Sequence, residues 1–358
     1  TAVSANGSGS VLIDSTGGSL TINADVSSAT GHITLKAGVA MSLTANVDVT
    51  TATSGTISLD AEGGALTMDG SVNVTASDSS LRVAATGDLT LGNLSATTVS
   101  VVSANGAILN ASGTTLNVSA TNLRLAAKDE IGISTRHLTI DVGTLTASSS
   151  GTGIYLTESD DVTVDTVRVE VTDFTATAGT VTVTDASQSD LVTSIGNGNI
   201  VLVAAGDIVL NDGTDDVGFA GEDNTDGTAV SANGSGSVLI DSTGGNLTVN
   251  ADVSSVTGHI TLKADLAMSL TATVNLTTGT GGTVSLDAEG GALTMVGSVN
   301  VTASSSSLRV AADGDITLGN LSATNVSVVS DNGAILNASG TTLNVSATNL
   351  RLEAMDEI

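Results

Sequence analysis

A long internal repeat restricts the folds open to this chain more than any other feature. The heptapeptide that begins at Thr1 returns at Thr228, and the match then runs without a gap to Ile358. Of the 131 aligned positions, 112 are identical. The sequence thus divides into a full unit, residues 1–227, and a partial second unit, residues 228–358. Such periodicity indicates a stacked repeat architecture, and we read the chain as an excerpt of a longer polypeptide.

Within each unit, short segments place apolar residues at alternate positions, a pattern typical of β-strands. Their starts lie 18 to 31 residues apart and are separated by turns rich in Gly, Asn and Asp. No stretch sustains the 3.6-residue apolar period of a helix. In the first unit these segments begin at Ile33, Ile57, Leu81, Val99, Leu123, Ile154, Val181 and Ile200.

Two architectures hold short strands at this density, an array of β-sandwiches and a parallel β-helix. A sandwich repeats every ~100 residues and usually needs an aromatic core, whereas this chain has one Tyr, two Phe and no Trp, Cys or Pro. Stacked rungs instead fill a narrow interior with aliphatic side chains. The sequence therefore predicts an all-β fold, a parallel β-helix (β-solenoid) built from 227-residue repeats of about nine rungs.

Differences between the two copies predict which side chains face inward. Pairs such as Val49/Leu276 and Val39/Leu266 exchange one branched apolar residue for another, so we expect both pairs inside. The pair Ala126/Glu353 changes polarity, which a buried position rarely tolerates. We expect it to face water or to lie in a turn.

The charge balance excludes some classes of function. Nine Lys and Arg against 37 Asp and Glu give a net charge of −28, which repels nucleic acid. No apolar run is long enough to insert into a membrane. Strong acidity in a chain that is not disordered suits an exported, soluble surface and favours divalent counter-ions.

The longest break in the strand pattern is an acidic, glycine-rich loop at residues 211–227. Calcium takes six to eight oxygen ligands, and short acidic side chains on a bent loop can supply several. A solvated hinge between units is the alternative, because the spacing matches neither of the familiar calcium loops. The candidate calcium ligands are Asp212, Asp215, Asp216, Glu222, Asp223 and Asp226.

The irregular part of the first unit, residues 148–227, also holds all three aromatic residues, Tyr155, Phe174 and Phe219. They are the candidates for contact with a glycan or protein ligand. No catalytic motif is found: there is no nucleophile elbow, phosphate loop or zinc motif. We therefore expect no enzyme, with a polysaccharide-active or ice-binding β-helix as the minor alternatives.

The sequence resembles the filamentous-haemagglutinin-like exoproteins and giant repetitive adhesins of bacteria. The resemblance rests on a recurring pattern, Gly-x-Ile/Val-x-Leu-x-Ala, seen at residues 31–37 and 55–61 and continued by Gly-Asp-Leu/Ile motifs. It implies a right-handed parallel β-helix that is exported to the cell surface. The expected function is the structural shaft of an extracellular filament or adhesin. Expected partners are other copies, end to end or side by side, and surface glycans or proteins of host or neighbouring cells.

Overall fold

The computed structural model describes residues 1–111, 116–214, 227–271, 273–338 and 343–358. Every helix or strand assigned within these ranges is a β-strand, so the expected all-β fold is confirmed. The strands are β1 (Val3–Ala5), β2 (Val11–Ser15), β3 (Leu20–Ile22), β4 (Val26–Ser28), β5 (Ile33–Ala37), β6 (Met41–Leu43), β7 (Asp48–Thr51), β8 (Ile57–Ala61), β9 (Leu66–Met68), β10 (Asn73–Ala85), β11 (Leu89–Leu91), β12 (Asn93–Ser103), β13 (Ile108–Asn110), β14 (Val118–Ala127), β15 (Leu138–Ser149), β16 (Gly153–Glu158), β17 (Val162–Val164), β18 (Val167–Phe174), β19 (Thr180–Gln188), β20 (Leu191–Thr193), β21 (Asn199–Ala204), β22 (Ile208–Leu210), β23 (Thr228–Ala232), β24 (Val238–Ser242), β25 (Leu247–Val249), β26 (Asp252–Ser255), β27 (Ile260–Ala264), β28 (Met268–Leu270), β29 (Asn275–Thr278), β30 (Val284–Ala288), β31 (Leu293–Met295), β32 (Asn300–Ala312), β33 (Ile316–Leu318), β34 (Asn320–Ser330), β35 (Ile335–Asn337) and β36 (Val345–Ala354).

The strands of the first unit form three parallel ladders, because each strand pairs with one about three strands further along the chain. The first ladder is β1–β4–β7 and continues through the first halves of β10, β12 and β14. The second is β2–β5–β8 and continues through the second halves of the same strands. The third is β3–β6–β9–β11–β13. A chain that visits three parallel ladders in turn has the arrangement of a β-solenoid.

The interior is a stack of aliphatic side chains in register. Leu59 of β8 pairs with Leu35 below and with Val83 above, and all three are fully buried. Val49 and Leu276 are buried as expected, but Val39 and Leu266 are exposed, so the inward assignment of that pair is wrong. Like residues stack on like because parallel strands about 4.8 Å apart leave each side chain the same space.

One corner between the first and second ladders is closed by hydroxyl groups and glycines. The Ser28 hydroxyl donates to the Gly9 carbonyl at 2.7 Å, and the Thr51 hydroxyl donates to the Gly31 carbonyl at the same distance. A Cβ on Gly31 would lie 2.2 Å from the Gly9 carbonyl oxygen. Glycine is therefore required where the backbones of successive turns meet this closely.

At the junction between units the ladders continue, but each strand of the second unit joins a different ladder from its counterpart in the first unit. We call this shift the phase change. β23, the counterpart of β1, pairs with β20, which pairs with the end of β15 at Ala147–Ser149 and so extends the second ladder. β24, the counterpart of β2, pairs with β21 and through it with β16. Ile154 of β16 bridges Ile131, which bridges Ile108 of the third ladder. A face of the second unit therefore points in the direction of the next ladder of the first unit, not in the direction of its own counterpart.

A single antiparallel hairpin, β18 with β19, leaves the solenoid within the irregular part of the first unit. Its strands run back along the outside of the first unit, and β18 packs against β5, β8, β10, β12, β14 and β15. Among the described strands, every other ladder is parallel. The hairpin gives the first unit a face that differs from the rest of its surface.

Candidate functional site

The candidate site is the hairpin seat, which we define as the outward side chains of the second ladder beneath β18 and β19. Hydrogen bonds between backbone groups of the hairpin and hydroxyl groups of the ladder join the hairpin to the ladder. Thr56 Oγ1 donates to the Thr172 carbonyl at 2.9 Å and accepts from the Thr172 amide at 3.0 Å. The Phe174 amide donates to Thr34 Oγ1 at 2.9 Å. These bonds set the position of β18 along the ladder.

Basic side chains of the ladder pair with acidic groups of the hairpin. Lys36 Nζ lies 3.2 Å from an Asp173 carboxylate oxygen, and Arg82 Nε lies 3.1 Å from Asp185. Arg124 Nε donates to the Ala186 carbonyl at 3.1 Å. Burial lowers the pKa of Arg124, and the nearby Asp185 carboxylate opposes that shift. Charge pairing therefore fixes both the tip and the base of the hairpin.

Apolar contacts come from one face of β18. Val167, Val169 and Val171 are buried, while Arg168 and Glu170 between them point to solvent and pair with each other at 2.6 Å. The seat is imperfectly satisfied, because Ser100 Oγ and Asp173 Oδ1 are buried without a hydrogen-bond partner among the described residues. A buried polar atom that is left without a partner costs about 1–3 kcal/mol.

In the second unit the equivalent face is uncovered. It forms an open groove of about 570 Å³ lined by Thr283 and by residues of β30, β32, β34 and β36, including Ser285, Arg309, Ser327 and Arg351. Ser58 is fully buried beneath the hairpin, whereas its counterpart Ser285 is half-buried. Residues 228–358 correspond to residues 1–131 and include no counterpart of β18 and β19, so the two copies show the same ladder with and without a hairpin. Ala126 of the first copy is fully buried and its counterpart Glu353 is exposed, so the expectation that this pair faces water fails in the first unit.

Sequence reasoning missed this seat, although the distribution of cations contained a signal for it. The chain has nine Lys and Arg residues. Six of them belong to the seat and its counterpart, Lys36, Arg82, Arg124, Lys263, Arg309 and Arg351. Cations placed singly in the middle of strands of a strongly acidic chain indicate a surface that binds carboxylates. The pattern could not show which carboxylates bind.

The structure separates the aromatic residues proposed as ligand contacts. Phe174 lies at the hairpin tip beside β5, where Lys36 and Val181 help to line a small pocket of about 260 Å³. Tyr155 lies on β16, with its ring centroid 5.8 Å from that of His137 and its hydroxyl 3.4 Å from Asn199 Nδ2. Phe219 lies outside the described residues. A ligand on residues 148–227 therefore stays a prediction.

Most of the acidic loop also lies outside the described residues. Of its six candidate calcium ligands only Asp212 is described, while Asp215, Asp216, Glu222, Asp223 and Asp226 are not. Within the described ranges no group of three or more His, Cys, Asp or Glu is arranged to hold a metal. Calcium binding by the loop stays a prediction.

The histidines link neighbouring turns. His32 Nδ1 lies 3.0 Å from Thr56 Oγ1, and His259 repeats the contact with Thr283 at 2.9 Å. Burial lowers the pKa of His32 and of His137, so neutral rings are favoured at both positions. His32 Nδ1 also accepts the Thr56 amide at 3.2 Å, so the ring is tied to the backbone of the next turn.

Glu158 is a buried carboxylate at the point where the ladders change phase. β16 pairs with β15 as far as Ile140, and β17 resumes the pairing at Thr144, which leaves the Val142 amide between them. The Glu158 carboxylate accepts this amide at 3.1 Å and the Ser159 amide at 2.9 Å. Burial raises the pKa of Glu158 to about 7, and these amides limit the rise.

We expect Glu158 to make stability depend on pH. Its pKa is about 7 when folded, against an ordinary value of 4.5. Between these values the folded state binds more protons than the unfolded state, so the free energy of unfolding falls as pH rises. Glu158→Gln keeps one acceptor oxygen and should remove up to about 3 kcal/mol of that fall. Urea unfolding of both proteins from pH 4 to pH 8 measures the difference.

The matched control is Glu62→Gln, which removes the same charge from an exposed side chain. Its stability difference from the parent should change little over the same pH range. A difference for Glu158→Gln that stays flat between pH 4.5 and pH 7 would contradict the assignment.

Comparisons with known proteins identify no relative, so a function can be inferred only from the fold and the site. No family model, no curated protein and no solved structure matches the chain. In the described part of the chain, no helix is long and apolar enough to cross a membrane.

Proposed function

We propose that the chain is a non-catalytic structural shaft of an extracellular or cell-surface filament or adhesin. The observation that carries this proposal is the continuity of the ladders through the unit junction, where β20, β21 and β22 pair with β23, β24 and β25. Successive units share one aliphatic interior and one set of backbone hydrogen bonds. In a chain built in this way, each further unit lengthens the shaft, and the shared interior holds neighbouring units in a fixed orientation.

In the proposed shaft the solenoid is right-handed and consists of 227-residue units stacked coaxially. The path from β2 to β23 takes eight pairings, through β5, β8, β10, β12, β14, β15 and β20. At about 4.8 Å per pairing, one unit adds about 40 Å to the shaft. The net charge of −28 keeps such a rod soluble and discourages non-specific lateral collapse.

Small-angle X-ray scattering tests the shaft directly. A chain lengthened by a further copy of residues 1–227, inserted after Gly227, should be about 40 Å longer than the parent chain with the same cross-section. The longer chain should also keep the parent's melting temperature, since the added unit repeats the same interfaces. A wider cross-section without added length would mean that units pack side by side, and the shaft would be abandoned.

A further inference from the structure

The strand β19 has one edge that pairs with no other strand. In an antiparallel pair, the backbone groups of successive residues point alternately toward the partner strand and away from it. On β18, the amide and carbonyl of Thr172 and the amide of Phe174 bond to ladder hydroxyls, so they point away from β19. Their partners in the register are Thr182 and Thr180, whose backbone groups therefore point away from β18. Within the described residues β19 pairs with β18 alone, which leaves this outer edge open.

The open edge is residues 180–184, Thr-Val-Thr-Val-Thr, a segment that reads the same in both directions. Val183 is half-buried and the other four residues are exposed. The segment carries no charge in a chain whose net charge is −28. Its β-branched residues favour a strand, and it contains none of the Lys, Pro or bulge features that usually protect an edge. It is therefore a template for pairing with a further strand.

Contacts with the ladder show where this edge lies on the first unit. Phe174, opposite the start of the segment, bonds to Thr34 of β5. Asp185, just after the segment, pairs with Arg82 of β10. The segment therefore runs along the solenoid past β5, β8 and β10, and its outer edge is directed sideways from the axis.

We propose that β19 pairs antiparallel with β19 of a second copy of this chain, about a two-fold axis at Thr182. Because the segment reads the same in both directions, this register sets Thr180 opposite Thr184 of the second copy and valine opposite valine. The two hairpins become one four-stranded sheet. Its outer strands are the two β18 strands, whose other edges are occupied by ladder hydroxyls, so the sheet closes at two copies.

The charges near the segment are compatible with this pairing. Asp185 is the only carboxylate on β19. In the proposed register it lies opposite Gly179 of the second copy, and Arg82 holds its carboxylate at 3.1 Å. No two carboxylates therefore face each other across the central strands. The two-fold axis sets the two solenoids side by side in opposite directions. The pairing needs only the hairpin, while its role in joining shafts sideways rests on the proposed function.

Cysteine cross-linking tests the register, because the chain has no cysteine of its own. Thr182→Cys lies on the two-fold axis, where facing Cα atoms are about 5.5 Å apart, and should give a disulfide-linked dimer under mild oxidation. Thr180→Cys is the matched control, since its two copies are about 13 Å apart in this register and cannot be bridged. A mixture of Thr180→Cys and Thr184→Cys chains should cross-link.

Sedimentation velocity measures the pairing without a cross-link. Thr182→Pro removes an amide that points away from β18, so the hairpin should remain while dimerisation weakens by at least about tenfold. Thr180→Lys combined with Thr184→Lys sets like charges opposite each other and should have the same effect. The control is Thr21→Lys with Thr67→Lys, the same change in net charge at exposed threonines of β3 and β9, which should leave dimerisation unchanged.

Higher salt should strengthen the dimer, since it screens the repulsion between two chains of charge −28. The proposal is overturned if the parent chain stays monomeric at millimolar concentration, or if Thr182→Cys and Thr180→Cys cross-link equally. It is overturned equally if the dimer survives both Thr182→Pro and the paired lysines, because the chains then associate elsewhere. With Thr182→Pro in every unit, the lengthened chain should still be about 40 Å longer, so loss of the dimer does not count against the shaft.

Discussion

Replacing Leu286 with Asp is expected to lower the free energy of unfolding of the second unit by at least about 4 kcal/mol. Leu286 is fully buried and stacks between Leu262 and Val310. An unpaired carboxylate there loses the apolar contacts of two turns and must be desolvated or protonated. Because a solenoid is stabilised between nearest neighbours, the damage should spread to adjacent turns but not along the whole chain.

Hydrogen exchange followed by mass spectrometry measures this loss turn by turn, without assuming that the whole chain unfolds in one step. Leu59→Asp should give the same result in the first unit. The control is Ser285→Asp, one residue away on the outward face, where the half-buried side chain can point its charge to water. Equal loss of protection in Leu286→Asp and Ser285→Asp would contradict an aliphatic interior at this position.

The second large effect is a difference between two identical substitutions in the two units. Arg82→Ala should destabilise the docked hairpin by about 2–4 kcal/mol, because it leaves the Asp185 carboxylate buried without its cation. In that ion pair the side chains are 14% and 11% exposed. Arg309→Ala should cost at most about 1 kcal/mol, since exposed ion pairs contribute little.

Amide exchange in β18 and β19 measures the first effect, and exchange in β30 and β32 the second. The comparison has an internal control, because both arginines lie in identical Leu-Arg-Val triplets of their strands. If the two variants lose protection to the same extent, Arg82 does not hold the hairpin. If Arg82→Ala exposes only β18 and β19 while β8 and β10 stay protected, the hairpin is a separately opening part of the molecule.

The sequence alone determined the fold class and most of the interior. Strands of alternating residues without aromatic side chains can bury only thin aliphatic layers, so residues such as Leu59 and Val49 had to face inward. The pattern fails at Val39 and Leu266, which follow their strands in exposed turns. An apolar exchange between copies therefore does not by itself distinguish a core position from a turn.

Only the tertiary structure decided what covers the outside of the ladders. The hairpin meets residues distant in sequence, such as Thr34 and Phe174, which are 140 positions apart. No local pattern encodes that contact, because a serine or arginine on an outward strand position is equally compatible with water. The phase change at the unit junction is likewise invisible in the repeat, since it depends on which ladder β20 joins. Period-two patterning fixes which side of a strand is buried, whereas the path of the chain between strands determines which surfaces meet.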